Sequence, residues 1–321
     1  MKRESAIDLR DQLTAELRLL GFTTTSEPPE DVASAEPLPI GLGIKGGLRG
    51  EWLVAVRVYA PEWTKETRAA LATIRMRAHG EVDAKVIGTP VLQAGGGGAP
   101  GVTLRSGCRI GTTNERWGTV GWFVTLVGRE SAGPQALTCA HVLARDGSAS
   151  VDDLIVVPPL PNAAIPTHTI VGTVSAVAHV APPWKHIRVD AAAVQPNSET
   201  AVDLSVGTRG PVREVLVPGH EETVVVKHGG ATAATLGALT AQKLAVPCRD
   251  PRTGASMVFL DQYEIESTDP TGRFSRSGDS GSLVLEPRSH QGVAMLIGGH
   301  GPFSYATPLN TVLTELNASP A

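Results

Sequence analysis

Three short segments of the sequence carry the residue types that acyl transfer requires. They are LTCAHVL around His141, IRVDAAAV around Asp190 and SRSGDSGSLV around Ser280. A serine hydroxyl is almost wholly protonated at neutral pH, so it becomes a nucleophile only when a base lies within hydrogen-bond reach. We assign the nucleophile to Ser280, the base and later the acid to His141, and the carboxylate that orients the imidazole to Asp190.

The Gly-Asp-Ser-Gly run has a second use in this chemistry. A tight turn there would aim the backbone N–H groups of Gly278 and Ser280 at the negative charge that develops on the substrate oxygen. Glycine suits such a turn because it adopts backbone angles that larger residues resist. The run therefore predicts an oxyanion hole formed by Gly278 and Ser280.

Each segment taken alone also has an ordinary explanation: an interior histidine, an aspartate in a turn, and a Gly-Ser turn. The three occur in the order His, Asp, Ser, each at the edge of an apolar run. That order differs from the Asp-His-Ser order of subtilisin and from the Ser-Asp-His order of α/β-hydrolases, and it is the order of chymotrypsin. The combination favours a catalytic triad over three unrelated residues.

The elements around these residues are short. From residue 102 onward, runs rich in Val, Ile, Leu and Thr alternate with Gly, Pro, Asn and Asp, and a final helix is expected over 309–316. Short, evenly spaced strands without intervening helices favour an all-β sandwich or barrel.

The N-terminal third has a different pattern. Apolar residues at helical spacing predict an amphipathic helix over 4–20, with Ala6, Leu9, Leu13, Leu17 and Leu20 on one face. After a Pro-rich stretch, a strand over 51–60, a helix over 63–78 and a strand over 81–90 form a β-α-β unit. We predict a small α/β regulatory or docking domain over 1–93, a Gly-rich linker over 94–101 and the catalytic domain over 102–321.

Composition excludes several partner classes. The 28 basic and 32 acidic residues form no basic run, so no nucleic acid is expected. No uninterrupted apolar run is long enough to span a membrane, and the first residues lack the apolar core of a signal peptide. The three separated cysteines, Cys108, Cys139 and Cys248, suit a reducing compartment. We expect a cytoplasmic protein with no cofactor and no metal, whose partners are a polypeptide substrate and a protein that binds the N-terminal domain.

At GDSGS, LTCAHVL and VDAAAV the chain resembles the trypsin-like serine peptidases of the chymotrypsin fold. The runs GCRIGTTNERWGTVGWFV and VKHGGATAATLGALT are similar to those of intracellular members that begin with a small α/β domain. The resemblance implies an all-β double six-stranded antiparallel barrel with the triad in the cleft between the barrels. It implies a serine endopeptidase that works through an acyl-enzyme intermediate.

The resemblance also bears on specificity and activation. The residue six positions before the nucleophile, Phe274, would lie at the base of the substrate pocket, and the pocket residues would be Phe274, Arg276, Gly299, His300 and Ser304. Without an aspartate at the base, a small or apolar P1 side chain is expected. Activating cleavage at Arg109-Ile110 is not expected because Ile110 lies in a predicted strand, so Asp279 should find an internal partner.

Three alternatives remain open. A latent, protease-like scaffold would keep the same residues and act through its N-terminal domain. An esterase on the same fold would use the same triad with a different leaving group. A metalloenzyme would need paired ligands, and the wide spacing of His168, His179 and His186 argues against one.

Overall fold

The computed structural model describes residues 1–19, 39–47, 50–92, 103–113, 116–144, 149–158, 168–178, 186–219, 223–249, 254, 256–269 and 272–321. The predicted Gly-rich linker, Leu20 and His179 lie outside these ranges. No helix in the ranges given is long and apolar enough to cross a membrane.

The described part of the first 92 residues contains two helices and four strands. Thr64 caps the second helix, because its side chain accepts the backbone N–H of Thr67 and Thr67 reciprocates. The predicted apolar face of the first helix is buried at Ala6, Leu13 and Leu17. In chain order the elements are α1 (Arg3–Leu19), β1 (Ile40–Gly46), β2 (Trp52–Val58), α2 (Lys65–Arg77), β3 (Val82–Val86) and β4 (Val91–Leu92).

The described residues from 103 onward lie mostly in β-strands, as expected, with two short α-helices and a 3₁₀ turn at Glu130–Ala132. Its first elements are β5 (Thr103–Arg105), β6 (Arg109–Gly111), β7 (Trp117–Thr119), β8 (Trp122–Leu126), β9 (Gln135–Thr138), α3 (Ala140–Leu143), β10 (Leu154–Val157), β11 (Thr169–Ala178), β12 (His186–Ile187) and β13 (Ala191–Pro196). The later ones are β14 (Ala201–Asp203), β15 (Ser205–Val206), β16 (Arg209–Pro211), β17 (Val224–Gly229), β18 (Ala233–Arg249), β19 (Ser256–Ser267), β20 (Leu283–Glu286), β21 (Gln291–His300), β22 (Phe303–Pro308), α4 (Leu309–Leu316) and β23 (Ala318–Pro320).

Two large sheets contain most of these strands. One has the order β23-β8-β9-β13-β11-β10-β6-β7. In the other, antiparallel pairings join β17 to β18, β18 to β19, β19 to β22, β22 to β21, β21 to β20 and β20 back to β17. Six strands of this sheet therefore form a closed ring. The predicted pair of closed barrels stays a prediction, because the path through the first sheet does not close among the described residues.

The N-terminal elements extend the second sheet. Strand β1 pairs antiparallel with β18 at Ile44 and Gln242, and β2 and β3 continue the sheet outward. An apolar cluster beneath α1 and α2 contains Leu13, Leu17 and Ile74 together with residues of β1 and β2. The α/β unit is therefore docked in cis on β18, whereas its regulatory role stays a prediction.

A buried ion pair crosses this junction. The Nε of Arg57 on β2 donates to both carboxylate oxygens of Glu264 on β19, at 3.0 and 2.8 Å, and both side chains are fully buried. Asp83 contacts the same guanidinium at 2.9 Å, and Thr240 donates to Glu264. Burial alone would lower the pKa of Arg57, but the charges of Glu264 and Asp83 outweigh it and raise that pKa. The junction thus depends on a charged network that apolar packing encloses.

Replacing Arg57 with methionine should leave Glu264 buried without its counter-charge. Breaking one partner of a buried pair costs about 3–5 kcal/mol, so we expect a loss of that size in the free energy of unfolding, measured by urea titration. Arg77→Met, which removes an exposed pair with Glu16, is the control and should change little. Equal losses in the two variants would mean that the buried pair does not stabilise the junction.

Candidate active site

The first sheet brings His141 and Asp190 together. Strands β9 and β13 pair antiparallel with Thr138 opposite Ala192. His141 follows β9 in the short helix α3, and Asp190 immediately precedes β13. Because the two strand ends are neighbours, their flanking side chains meet although 49 residues separate them.

Asp190 holds His141 at two points. Its Oδ1 accepts the backbone N–H of His141 at 2.9 Å, and its Oδ2 is hydrogen-bonded to Nδ1 of the imidazole. Asp190 is fully buried and His141 is 3% exposed. The second contact requires a proton on Nδ1, which leaves Nε2 as the nitrogen able to accept a proton.

Ser280 lies in a turn that two glycines make possible. Gly278 has φ +100° and Gly281 has φ +92°, values that larger residues rarely adopt. A Cβ on Gly281 would lie 2.4 Å from the carbonyl oxygen of Thr119 and 2.4 Å from the hydroxyl of Thr138. The hydroxyl of Thr119 donates to the carbonyl of Gly278 at 2.8 Å. The turn is therefore packed against β7 and β9, and β9 leads to His141.

The hydroxyl of Ser280 is not paired with the histidine. Its Oγ donates to the carbonyl of Ile297 on β21 at 3.0 Å, and Ser280 is fully buried. Within the described residues, the Nε2 of His141 is buried and has no hydrogen-bond partner. The structure shows no hydrogen bond between this nitrogen and the Ser280 hydroxyl, so the hydroxyl would have to turn from Ile297 to His141 before Ser280 could attack.

Asp279 has an internal partner, as the sequence predicts. The Nζ of Lys227 on β17 lies 3.3 Å from Oδ2 of Asp279, and both side chains are fully buried. Four further donors reach this carboxylate: the backbone N–H groups of Ala231 at 2.9 Å, Thr232 at 3.2 Å and Arg276 at 2.9 Å, and the hydroxyl of Thr232 at 2.7 Å. Burial lowers the pKa of Lys227, and the charge of Asp279 offsets this only in part.

The segment Arg109–Gly111 is a strand, which fits the expectation that it is not an activation site. Ile110 is fully buried in β6, which pairs with β7. The Nε of Arg109 donates to the carbonyl of Gly230 at 2.9 Å. A protease would have to unfold this strand to cut it.

The five predicted pocket residues lie in different environments, although Gly299 of β21 pairs directly with Ser304 of β22. Phe274 is fully buried in an apolar cluster of the second sheet, with the Nζ of Lys227 at 5.7 Å from its ring centroid. Ser304 is buried and shares a 2.7 Å hydrogen bond with Ser275. The side chains of Arg276 and His300 are exposed, and Gly299 pairs with Val91. A pocket at these residues stays a prediction.

Cys139 lies close enough to His141 and Asp190 for a metal site to be considered. Its sulfur, a nitrogen of His141 and an oxygen of Asp190 all lie within 4.8 Å of one another, close enough for three ligands of one metal ion. A thiol binds metal as a thiolate, but burial raises the pKa of Cys139 well above its usual value and its sulfur donates to the carbonyl of Leu296. This environment favours a neutral thiol packed behind the histidine.

Four residues that lie near the site are not identified from the sequence. Lys227 carried a signal, because a lysine within the otherwise apolar run VVVKHGG occupies an inward position of a strand. Ile297, whose carbonyl accepts the Ser280 hydroxyl, carried none. The segment of Val91 and Leu92, which pairs with β21, was assigned to the end of the N-terminal domain.

Similarity to known proteins is weak. No family model matches the sequence, and no curated protein sequence matches it. The structure is similar to that of a Nocardiopsis protease, with 16% identity over 68% of this chain and 98% of that chain and a TM-score of 0.47. Thermobifida fusca protease A is 15% identical over 68% of this chain and 97% of that chain, with a TM-score of 0.47. A Cellulomonas bogoriensis chymotrypsin is 15% identical over 68% of this chain and 98% of that chain, with a TM-score of 0.44. At such scores and identities, similarity decides neither the fold nor the activity, and function has to be argued from the site.

Proposed function

We propose that the chain is a serine endopeptidase that works through the triad Ser280, His141 and Asp190. The observation that carries the proposal is the buried pair of His141 and Asp190, packed against a glycine turn that bears a serine. A carboxylate that fixes Nδ1 leaves Nε2 as a base, and a neighbouring hydroxyl is the group such a base activates.

The reaction follows from these positions. After rotation of its side chain, Ser280 attacks the substrate carbonyl while His141 takes its proton. The N–H groups of Gly278 and Ser280 stabilise the oxyanion, and His141 then protonates the leaving amine. Water, activated by the same imidazole, hydrolyses the acyl-enzyme and restores the serine.

The second candidate is a latent, protease-like scaffold. One observation favours it: the Ser280 hydroxyl is buried and bonded to Ile297 rather than to His141. A scaffold has no need of a serine that can rotate toward the base. The two candidates differ in whether Ser280 ever becomes reactive.

A fluorophosphonate probe separates the two candidates, because it phosphonylates only a serine that a base activates. We expect one adduct on Ser280 in the wild-type chain, located by peptide mass spectrometry, and none in Ser280→Ala. Ser289→Ala, which changes an exposed serine, is the matched control and should label like the wild type. A wild-type chain without label after prolonged incubation would favour the scaffold. Peptide libraries would then test the expectation of a small or apolar P1 residue.

A further inference from the structure

The chain's own strand β4 covers an edge of β21 directly beside the nucleophile. Ile297 of β21 accepts the Ser280 hydroxyl. The next two residues of the strand, Gly298 and Gly299, pair antiparallel with Leu92 and Val91. A two-residue extended segment therefore pairs with the residues that directly follow the hydrogen-bond acceptor of Ser280.

The fit between the two strands is close. A Cβ on Gly298 would lie 2.4 Å from the carbonyl oxygen of Val91 and 3.4 Å from the Cα of Leu92. The glycine thus lets the backbones approach where any larger residue would collide. Leu92 is only 3% exposed, in the same apolar cluster as Ile297 and Met257.

A second strand holds the other side of β4. The N–H of Arg249 on β18 donates to the carbonyl of Pro90 at 3.1 Å, and β18 pairs parallel with β4 at Val91. The segment is thus inserted between two strands rather than resting on a free edge. Its departure would leave the edge of β21 at Gly298 and Gly299 without a partner strand.

An extended peptide binds to such an edge through main-chain hydrogen bonds, while pockets select alternate side chains. Gly298 and Gly299 directly follow Ile297, whose carbonyl accepts the Ser280 hydroxyl. A peptide strand paired with these two glycines would therefore have its backbone close to the nucleophile. Ser280 is fully buried and His141 is 3% exposed. The edge has the geometry of a peptide site, and the chain itself fills it.

We propose that Val91–Leu92 occupies the substrate edge of β21 and competes with polypeptide substrates, so that the full chain is held in a self-inhibited state. The inference rests on the proposed endopeptidase function. It also names a substrate class: extended peptides with an apolar side chain in the place of Leu92.

In competition with a free peptide substrate, Val91–Leu92 has the advantage of belonging to the same chain. A short tether gives an effective concentration in the millimolar range, so a peptide at micromolar concentration displaces the segment only with much higher affinity. Weakening of the occupied state by 1.4 kcal/mol raises the open fraction about tenfold while that fraction is small. A change at one buried residue can therefore shift the activity by a large factor.

Leu92→Asp tests the proposal, because a carboxylate is unstable in the apolar site of Leu92. We expect the rate of fluorophosphonate labelling at Ser280 to rise about tenfold or more over the wild type. Leu92→Met conserves volume and apolarity and should label like the wild type. Leu236→Asp adds the same charge at a half-exposed position on β18 and should also leave the rate unchanged.

The outcomes separate the two proposals. Equal labelling of the wild type and Leu92→Asp would overturn self-inhibition and leave the endopeptidase intact. Labelling of neither would overturn both.

A second measurement uses the wild-type chain and does not depend on a variant that folds. After reaction with a peptidyl phosphonate that carries leucine next to its reactive residue, hydrogen exchange at the amides of Val91 and Leu92 should become faster. A small fluorophosphonate without a peptide serves as the comparison and should give a smaller increase. Unchanged exchange with the peptidyl reagent would show that peptide and segment do not share the edge, and would overturn the proposal.

Discussion

Asp190→Asn should lower the rate of labelling at Ser280 about 10⁴-fold while the fold is retained. The structure gives the reason at atomic level. Oδ1 of Asp190 accepts the backbone N–H of His141, and an asparagine can keep that bond with its amide oxygen. Its NH₂ group would then face Nδ1, which would have to act as an acceptor and so lose its proton.

The consequence is a histidine in the wrong tautomer. With the proton on Nε2, the imidazole can no longer accept the proton of Ser280, although every other group of the site stays in place. Asp152→Asn is the control, because Asp152 is exposed and has φ +71°, a conformation that asparagine tolerates. We expect the control to be labelled at the wild-type rate. Both variants should unfold at the same temperature as the wild type. Labelling of Asp190→Asn at the wild-type rate would remove Asp190 from the mechanism.

The candidate nucleophile, base and orienting carboxylate could be predicted from the sequence because each lies in a short local motif. GDSGS demands a glycine turn, and the structure gives positive φ to Gly278 and Gly281. The apolar period of residues 4–20 predicts a helix, which the structure has at Arg3–Leu19. The β-α-β pattern likewise matches β2, α2 and β3, since alternation and capping act over a few residues.

The long-range contacts that bury the site could not be predicted from such local motifs. The pairing of Leu92 with Gly298 joins residues more than two hundred positions apart, and the sequence around Leu92 resembles any short apolar run. The pairing of Arg57 with Glu264 is equally distant, and each residue alone is typical of a solvated strand face. Similarly, the hydrogen bond from Ser280 to Ile297 depends on packing rather than on residue type.

Lys227→Met should disable the site through the turn that carries the nucleophile. Lys227 places its ammonium 3.3 Å from the carboxylate of Asp279, with both groups buried. Asp279 directly precedes Ser280, and the variant would leave its buried carboxylate without this neighbouring charge. We expect the turn to rearrange and the oxyanion donors Gly278 and Ser280 to lose their positions. Loss of such a donor costs about 10²–10³-fold in rate.

The matched control is Lys243→Met. Lys243 lies 3.8 Å from Asp261 in a pair that is about one-third exposed on both sides, so its removal should leave labelling unchanged. Equal labelling of Lys227→Met and the wild type would mean that Asp279 holds the turn through Thr232 and the backbone donors alone.

The pH dependence distinguishes this positioning role from a general loss of stability. Around the ammonium of Lys227 lie the carboxylate of Asp279, the hydroxyl of Thr232, the carbonyl of Ala233 and the ring of Phe274, with Asp269 acting at longer range. Burial lowers the pKa of Lys227 from 10.5, so its charge is lost at a lower pH than that of an ordinary lysine. Labelling should therefore fall on the alkaline side before pH 10.5.

Stability should move in the opposite direction over the same range. Between the lowered pKa and 10.5 the unfolded chain binds more protons at this residue than the folded chain does, so the contribution of Lys227 to the free energy of unfolding rises with pH. A fall in labelling without a fall in unfolding temperature would identify loss of the Lys227–Asp279 pair as the cause. If the two fell together, with the same alkaline limb in Lys243→Met and in a Lys227→Arg variant that cannot lose its charge, the limb would belong to unfolding and the positioning role would be wrong.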